Sequence, residues 1–156
     1  MYSNNLLENE FILIIGLLFF LVLIPTVFYI STLQKALEAV SDENRRMPPG
    51  QVWLLLIPLF NFIWMFVVVN KIAESFNAEC SLLNIPTDET NPTQGIGNTK
   101  NIFRLCTMIP VIGLLAGIGY LVCWIMHWIK VNEYRNLILA NKDNLILEAE
   151  KGIFHH

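Results

Sequence analysis

Three uncharged and mostly apolar stretches set the pattern of this 156-residue chain: residues 11–30, 52–69 and 105–126. At 1.5 Å of rise per residue, a helix of about twenty apolar residues crosses a hydrocarbon core of roughly 30 Å, so each stretch is long enough for one passage. The expected fold class is an all-α polytopic membrane protein with three transmembrane helices. Each stretch carries one Ile-Pro step, at Pro25, Pro58 and Pro110. Proline removes an amide donor and displaces the carbonyl four residues earlier, which predicts kinks and under-bonded oxygens at Leu21, Leu54 and Cys106. The steps read either as independent kinks or as a duplicated broken helix, and a re-entrant geometry at Pro58 or Pro110 would change the number of spans. No carboxylate lies near these prolines in sequence, so an ion site there is not expected.

Beyond the apolar stretches the helical period continues. Leu33, Leu37 and Val40 extend the first helix with Gln34, Lys35 and Glu38 facing away, until Met47-Pro48-Pro49-Gly50 forces a turn. The second helix overshoots as an amphipathic segment, with Asn70, Glu74, Asn77 and Ser81 on one face and Ile72, Phe76 and Leu83 opposite. A polar loop, 84–99, rich in Asn, Thr, Pro and Gly, is long enough to be mobile. The third helix is expected to start near Lys100, run to about Ala140 and stop at 141–144, with 145–149 docking on the bundle or lying at the interface. The whole reads as one helical domain, 1–156, with a cytoplasmic tail from 130 onward.

Composition agrees with a membrane chain: 54% of residues are hydrophobic and only 15% are charged, well below the roughly 25% of soluble domains. The net charge of −3 and the scattered basic residues exclude a nucleic-acid footprint. The three cysteines, Cys80, Cys106 and Cys123, show no metal-ligand spacing and no disulfide framework. No basic n-region or small-residue cleavage step accompanies the first stretch, so it is expected to stay as a membrane helix, and His155 and His156 are set aside as a possible tag remnant. With three spans, Lys35, Arg45, Arg46, Lys130, Arg135, Lys142 and Lys151 fall on one side and Lys71, Lys100 and Arg104 on the other. That balance places the N-terminus outside and the C-terminus in the cytoplasm.

The segment 50–64, with Trp53, Ile57-Pro58, Asn61 and Trp64, resembles a Trp-x3-Ile-Pro-x2-Asn motif of small bacterial inner-membrane proteins that form a domain family without assigned function. The resemblance implies an inner-membrane location and carries over no catalytic residue.

Polar and small residues within the stretches are the remaining candidates. On the third helix Gly113, Gly117, Tyr120 and Trp124 share a face, and the GxxxG step marks it for close helix packing, within the chain or against a second copy. Asn61 and His127 are the intramembrane polar residues; each reads first as a hydrogen-bonded packing residue, with proton relay or haem ligation as the alternative for His127. Asn70, Glu74, Asn77 and Arg104 form a candidate polar path near the outer boundary, where Glu74 and Arg104 are placed to pair. No catalytic motif, cofactor site or metal site is legible, so no enzyme and no cofactor are expected. The expected partners are the lipid bilayer and either further copies or another membrane protein. The expected function is a non-enzymatic membrane module that packs with itself or a larger complex; the alternative is a homo-oligomeric pore or small transporter lined by Asn70, Glu74 and Asn77.

Overall fold

The computed structural model describes the backbone of residues 2–154 and the side chains of residues 9–151; His155 and His156 lie outside the described residues. Proline acts differently at its three positions. Pro25 stays inside one continuous helix, α1, Tyr2–Ala39. The second stretch divides at Pro58. Pro48 is extended and Pro49 opens a 3-10 helix, Pro49–Leu56, where a missing amide proton costs nothing. That helix ends because Ile57, preceding a proline, is held extended at φ −78°, ψ 113°. Leu59, in the left-handed region at φ 63°, then reverses the chain into α2, Asn61–Leu82. The Trp64 indole N–H donates to the Gln51 carbonyl at 2.9 Å and fastens the two arms.

The third stretch divides in the same manner. Helix α3, Gln94–Cys106, leads into a turn at 107–112, from which α4, Gly113–Phe154, runs back. Gly113 is required at the turn, since a Cβ there would sit 2.8 Å from the Thr107 carbonyl oxygen. Phe103 lies against Gly119, and the Arg104 guanidinium lies 6.0 Å from the Tyr120 ring, so the arms face each other. Neither Leu54 nor Cys106 has the under-bonded oxygen expected of a kinked helix, because their carbonyls accept the amides of Ile57 and Ile109 at 3.1 Å.

The expected spans at 52–69 and 105–126 are therefore hairpins rather than continuous helices, broken where a proline and its extended predecessor turn the chain. Two helices remain long and apolar enough to cross a membrane, Asn9–Ala39 and Gly113–Lys151, which is weak evidence for membrane insertion taken by itself. Other boundaries shift too. α3 begins at Gln94, inside the expected loop 84–99. α4 continues through 141–144, where the Asn141 amide donates to the Leu137 carbonyl at 2.8 Å and so fits a helix interior. α2 stops on a left-handed Asn84 (φ 52°), with Ile85 N–H donating to the Cys80 carbonyl and Asn84 N–H to that of Ser81, a closed C-terminal turn.

α1 and α4 run parallel: Tyr29 meets Trp124 and Trp128, and ten residues on, Lys142 donates to the Ala39 carbonyl at 2.8 Å. The buried core lies along residues 29–40 of α1, packed on Val52 and Leu55, on Val68, Ile72 and Phe76 of α2, and on Val131 and Ile138 of α4. Each fully buried aliphatic or aromatic side chain in water contributes about 1.5–3 kcal/mol. Beyond this core, the apolar residues 11–22 of α1 and both hairpin turns are exposed, with Val111 at 91% and Leu59 at 81%.

The end of α1 is capped by side chains. Arg45 donates to the carbonyls of Leu37 and Val40 at 2.8 and 2.9 Å, occupying oxygens that no further turn would bond. Beside this cap Glu79 is fully buried and accepts from Ser41, Asn44 and Lys142 at 2.7, 2.7 and 2.6 Å. Burial, the largest influence, pushes its carboxyl pKa up; hydrogen bonds from Lys142, Asn44 and Ser41 and the Lys142 charge together bring it below the usual range.

A carboxyl with a depressed folded pKa stabilises the fold above its unfolded pKa, and that contribution is lost as pH falls through the folded value. Glu79→Gln is expected to lower stability at pH 7 by about 1–3 kcal/mol and to flatten the acid limb of the stability profile. Urea titrations followed by circular dichroism between pH 7 and pH 3 measure both, and parallel acid limbs for the two proteins would contradict the assignment.

Candidate functional site

The hairpins and α1 enclose a cavity of about 300 Å³ whose polar lining comes from Tyr29, Asn61, Lys100, Asn101, Arg104 and Tyr120. Sequence position explains how these residues meet. Lys100 and Arg104 are four apart on α3 and so share a face, while the Pro110 turn brings Tyr120 of α4 opposite them. The Pro58 turn sets Asn61 at the start of α2, and Tyr29 enters from α1.

Lys100 is 5% exposed, donates to the Tyr29 hydroxyl at 2.8 Å and lies 5.0 Å from that ring's centre. An ammonium has donors only, so the Tyr29 oxygen accepts from Lys100 and its hydrogen is left for Nδ1 of His127, 2.9 Å away. Nδ1 is then the acceptor, and the proton of the neutral ring sits on Nε2. Nε2 is buried and has no partner among the described residues, and it faces Gly97. The arrangement is a linear donor chain, Lys100 to Tyr29 to His127, flanked by Trp124, tilted against the Tyr29 ring, and Trp128, edge-on to it.

The cavity is cationic. No Asp or Glu lines it, and neither Lys100 nor Arg104 has a salt-bridge partner among the described residues. The Arg104 guanidinium lies 5.7 Å from the Phe62 ring and 6.0 Å from the Tyr120 ring, contacts of the cation–π kind. Two amide oxygens of its lining, Oδ1 of Asn61 and Oδ1 of Asn101, have no partner among the described residues, although Asn101 Nδ2 donates to the Met65 carbonyl at 3.0 Å. Two cations and two free acceptors suit an anionic group that also carries hydroxyls.

The residues expected to matter are placed as follows. Tyr120, Trp124 and Asn61 line the cavity, His127 ends the donor chain, and Arg104 joins them rather than pairing with Glu74. Glu74 pairs with Lys71 at 2.8 Å on its own helix. Asn70 accepts from Gln94 and Asn98 at 3.0 and 3.1 Å and so ties α3 to α2, while Asn77 is half-buried outside the cavity. Gly113 packs on its own turn; a Cβ on Gly117 would meet nothing within 4 Å. The close helix approach is made by Gly97 instead. Tyr29 and Lys100 went unnoticed as site residues, although the i, i+4 spacing of Lys100 and Arg104 ahead of an apolar stretch is a visible signal. Among the described residues no group of three or more His, Cys, Asp or Glu could hold a metal ion.

A Cβ at Gly97 would lie 2.5 Å from Val69 Cγ1 and 2.7 Å from His127 Nε2, whereas Gly95 in the same helix has nothing within 4 Å. Gly97→Ala is expected to destabilise by about 1–3 kcal/mol through overpacking, and Gly95→Ala to stabilise by up to about 1 kcal/mol. Thermal unfolding in detergent, followed by circular dichroism, distinguishes them; equal midpoints would contradict the packing at His127. Comparison with family models, with curated proteins and with solved structures found no match to the chain.

Proposed function

We propose that the chain is a non-enzymatic integral membrane module that packs with further copies of itself or with a larger membrane complex, as an accessory, scaffold or assembly subunit. Its placement follows from charge. Residues 1–34 contain no Lys or Arg, and with both hairpins reversed no basic residue lies beyond the turns, toward the side where α1 begins. A ten-to-none distribution supports an N-terminus outside and every loop in the cytoplasm, more strongly than the seven-to-three count of three spans. The indoles of Trp128 and Trp53 donate to Thr32 and Gln34 at 2.8 and 2.6 Å, which suits an aromatic belt at the cytoplasmic interface. From Thr32 up α1 to Val22, the level of the hairpin tips, is about 15 Å, half of a hydrocarbon core. In this arrangement α1 crosses and the hairpins are re-entrant wedges in the cytoplasmic leaflet. The resemblance of segment 50–64 supports the inner membrane of a bacterium as the location.

One observation carries the assembly role: residues 11–21 of α1 leave their apolar side chains exposed, and a Cβ on Gly117 of α4 would meet nothing within 4 Å. In lipid such surfaces associate through close packing, for which a glycine on a lipid-facing helix is suited. The pore reading has less support, because the Asn70 carbonyl is taken by Gln94 and Asn98 and Glu74 by Lys71.

Gly117→Leu tests the role, since a Cβ at this position meets nothing within 4 Å in the monomer. Light scattering and native mass spectrometry in mild detergent are expected to show a wild-type assembly larger than one chain and a smaller one for the variant, with an unchanged helical spectrum. A wild-type monomer that co-purifies with no other protein would contradict the proposal.

A further inference from the structure

We infer that the cavity between α1 and the two hairpins is a binding site for an anionic phospholipid of the cytoplasmic leaflet, one whose headgroup combines a phosphate with free hydroxyls, as glycerol phosphate does. The inference deepens the membrane placement proposed above and rests on it.

Four observations converge on this chemistry. Lys100 and Arg104 supply two cationic donors one helical turn apart with no carboxylate to neutralise them, and a phosphate makes charge-assisted hydrogen bonds to both ammonium and guanidinium groups. The unpartnered oxygens of Asn61 and fully buried Asn101 are acceptors that a phosphate cannot satisfy but a hydroxyl can. The remaining wall is apolar, from Ile30, Leu33, Leu55, Met65 and Val68, as an acyl chain or glyceryl ester requires. A cavity of about 300 Å³ is at the small end of ligand sites, enough for a headgroup while the tails stay in the bilayer.

The lining is ordered along the helices: Tyr29, Lys100 and Asn101 are buried deeper in the fold, while Asn61, Arg104 and exposed Thr107 stand beside the hairpin turns, with exposed Val22 at the mouth. In the placement proposed above the whole cavity lies within the cytoplasmic leaflet, so a lipid of that leaflet reaches it without crossing the bilayer centre. Choline lipids fit poorly, since a quaternary ammonium offers no hydroxyl to the asparagines and would lie beside two cations.

Native mass spectrometry of the full chain in detergent, with dioleoyl phosphatidylglycerol, dioleoyl phosphatidylcholine or soluble glycerol 3-phosphate added, tests the inference. The wild type is expected to retain one phosphatidylglycerol, to retain phosphatidylcholine at least about 10-fold less, and to retain no glycerol phosphate. Arg104→Gln, which removes a guanidinium with no carboxylate partner among the described residues, is expected to lose about 10-fold in phosphatidylglycerol retention while keeping its helical spectrum, and Arg104→Lys to keep most of it. Lys100→Gln is expected to lose at least as much. Equal retention of both lipids, or retention unaffected in Arg104→Gln and Lys100→Gln, would mean annular lipid only and would overturn the site. Retention of glycerol phosphate at the same level as the lipid would overturn the lipid in favour of a soluble anion. Carbonate extraction of membranes from expressing cells reads the membrane placement separately: release of the protein would overturn that placement whatever the cavity binds.

Discussion

Charge is expelled from hydrocarbon, and backbone amides left there must bond to each other; in the proposed membrane placement, the two Ile-Pro turns of this chain meet both demands at once. If 52–69 and 105–126 ran straight across a membrane, it would separate Lys71, Lys100 and Arg104 from the other seven basic residues. Reversal at Pro58 and Pro110 instead leaves no basic residue beyond the turns, and the turns satisfy their own carbonyls, as the Leu54–Ile57 and Cys106–Ile109 bonds illustrate. The apolar sequence of the turns, with Leu59 and Val111 almost bare, then becomes the part best suited to lipid.

Two kinds of packing divide the molecule accordingly. Where water is at hand, aliphatic burial drives association: Leu37, Val40, Ile72, Phe76 and Ile138 form a core of the ordinary kind, closed by the buried Glu79 and its three donors. In the proposed placement, burial of apolar surface toward the hairpin tips gains little against lipid tails, and specific contacts take over there. Gly119 under Phe103 and the rings around Arg104 lie beside the second turn, whereas Gly97 under His127 and the Lys100–Tyr29–His127 chain lie farther from it, level with the Trp124 and Trp128 indoles. In the proposed reading the cavity sits between these regimes, and an anionic lipid takes the place of the carboxylate that its lining lacks.

Much of the fold was legible from residue pattern. Helical content, the extension of α1 through Val40, the amphipathic second half of α2 and the break at Pro48-Pro49 follow from periodicity and proline chemistry, which are local. Whether a proline kinks a helix or reverses it is decided by tertiary contacts: Pro25 lies in an uninterrupted helix, whereas Pro58 is bracketed by Gln51 and Trp64 and Pro110 by Arg104 and Tyr120, pairs that only a hairpin brings together. For the same reason Gly117 stood out in a GxxxG step while Gly97, which makes the tightest approach, looked like a loop residue. The cavity was half visible. Asn61, Arg104 and His127 stand out in the sequence by their polarity and Tyr120 and Trp124 by a shared helical face, but Tyr29 and Lys100 gain meaning only once α1 and α3 are side by side.

Side-specific labelling of introduced cysteines tests the hairpin geometry in its membrane most directly. With Cys80, Cys106 and Cys123 replaced by Ser, Glu43→Cys and Asp88→Cys each place one thiol at an exposed position, before the first hairpin and between the two. Re-entrant hairpins predict that a membrane-impermeant maleimide reaches both positions only after the cells are permeabilised. Labelling of position 88 in intact cells, with position 43 still protected, would restore three crossings and contradict the account.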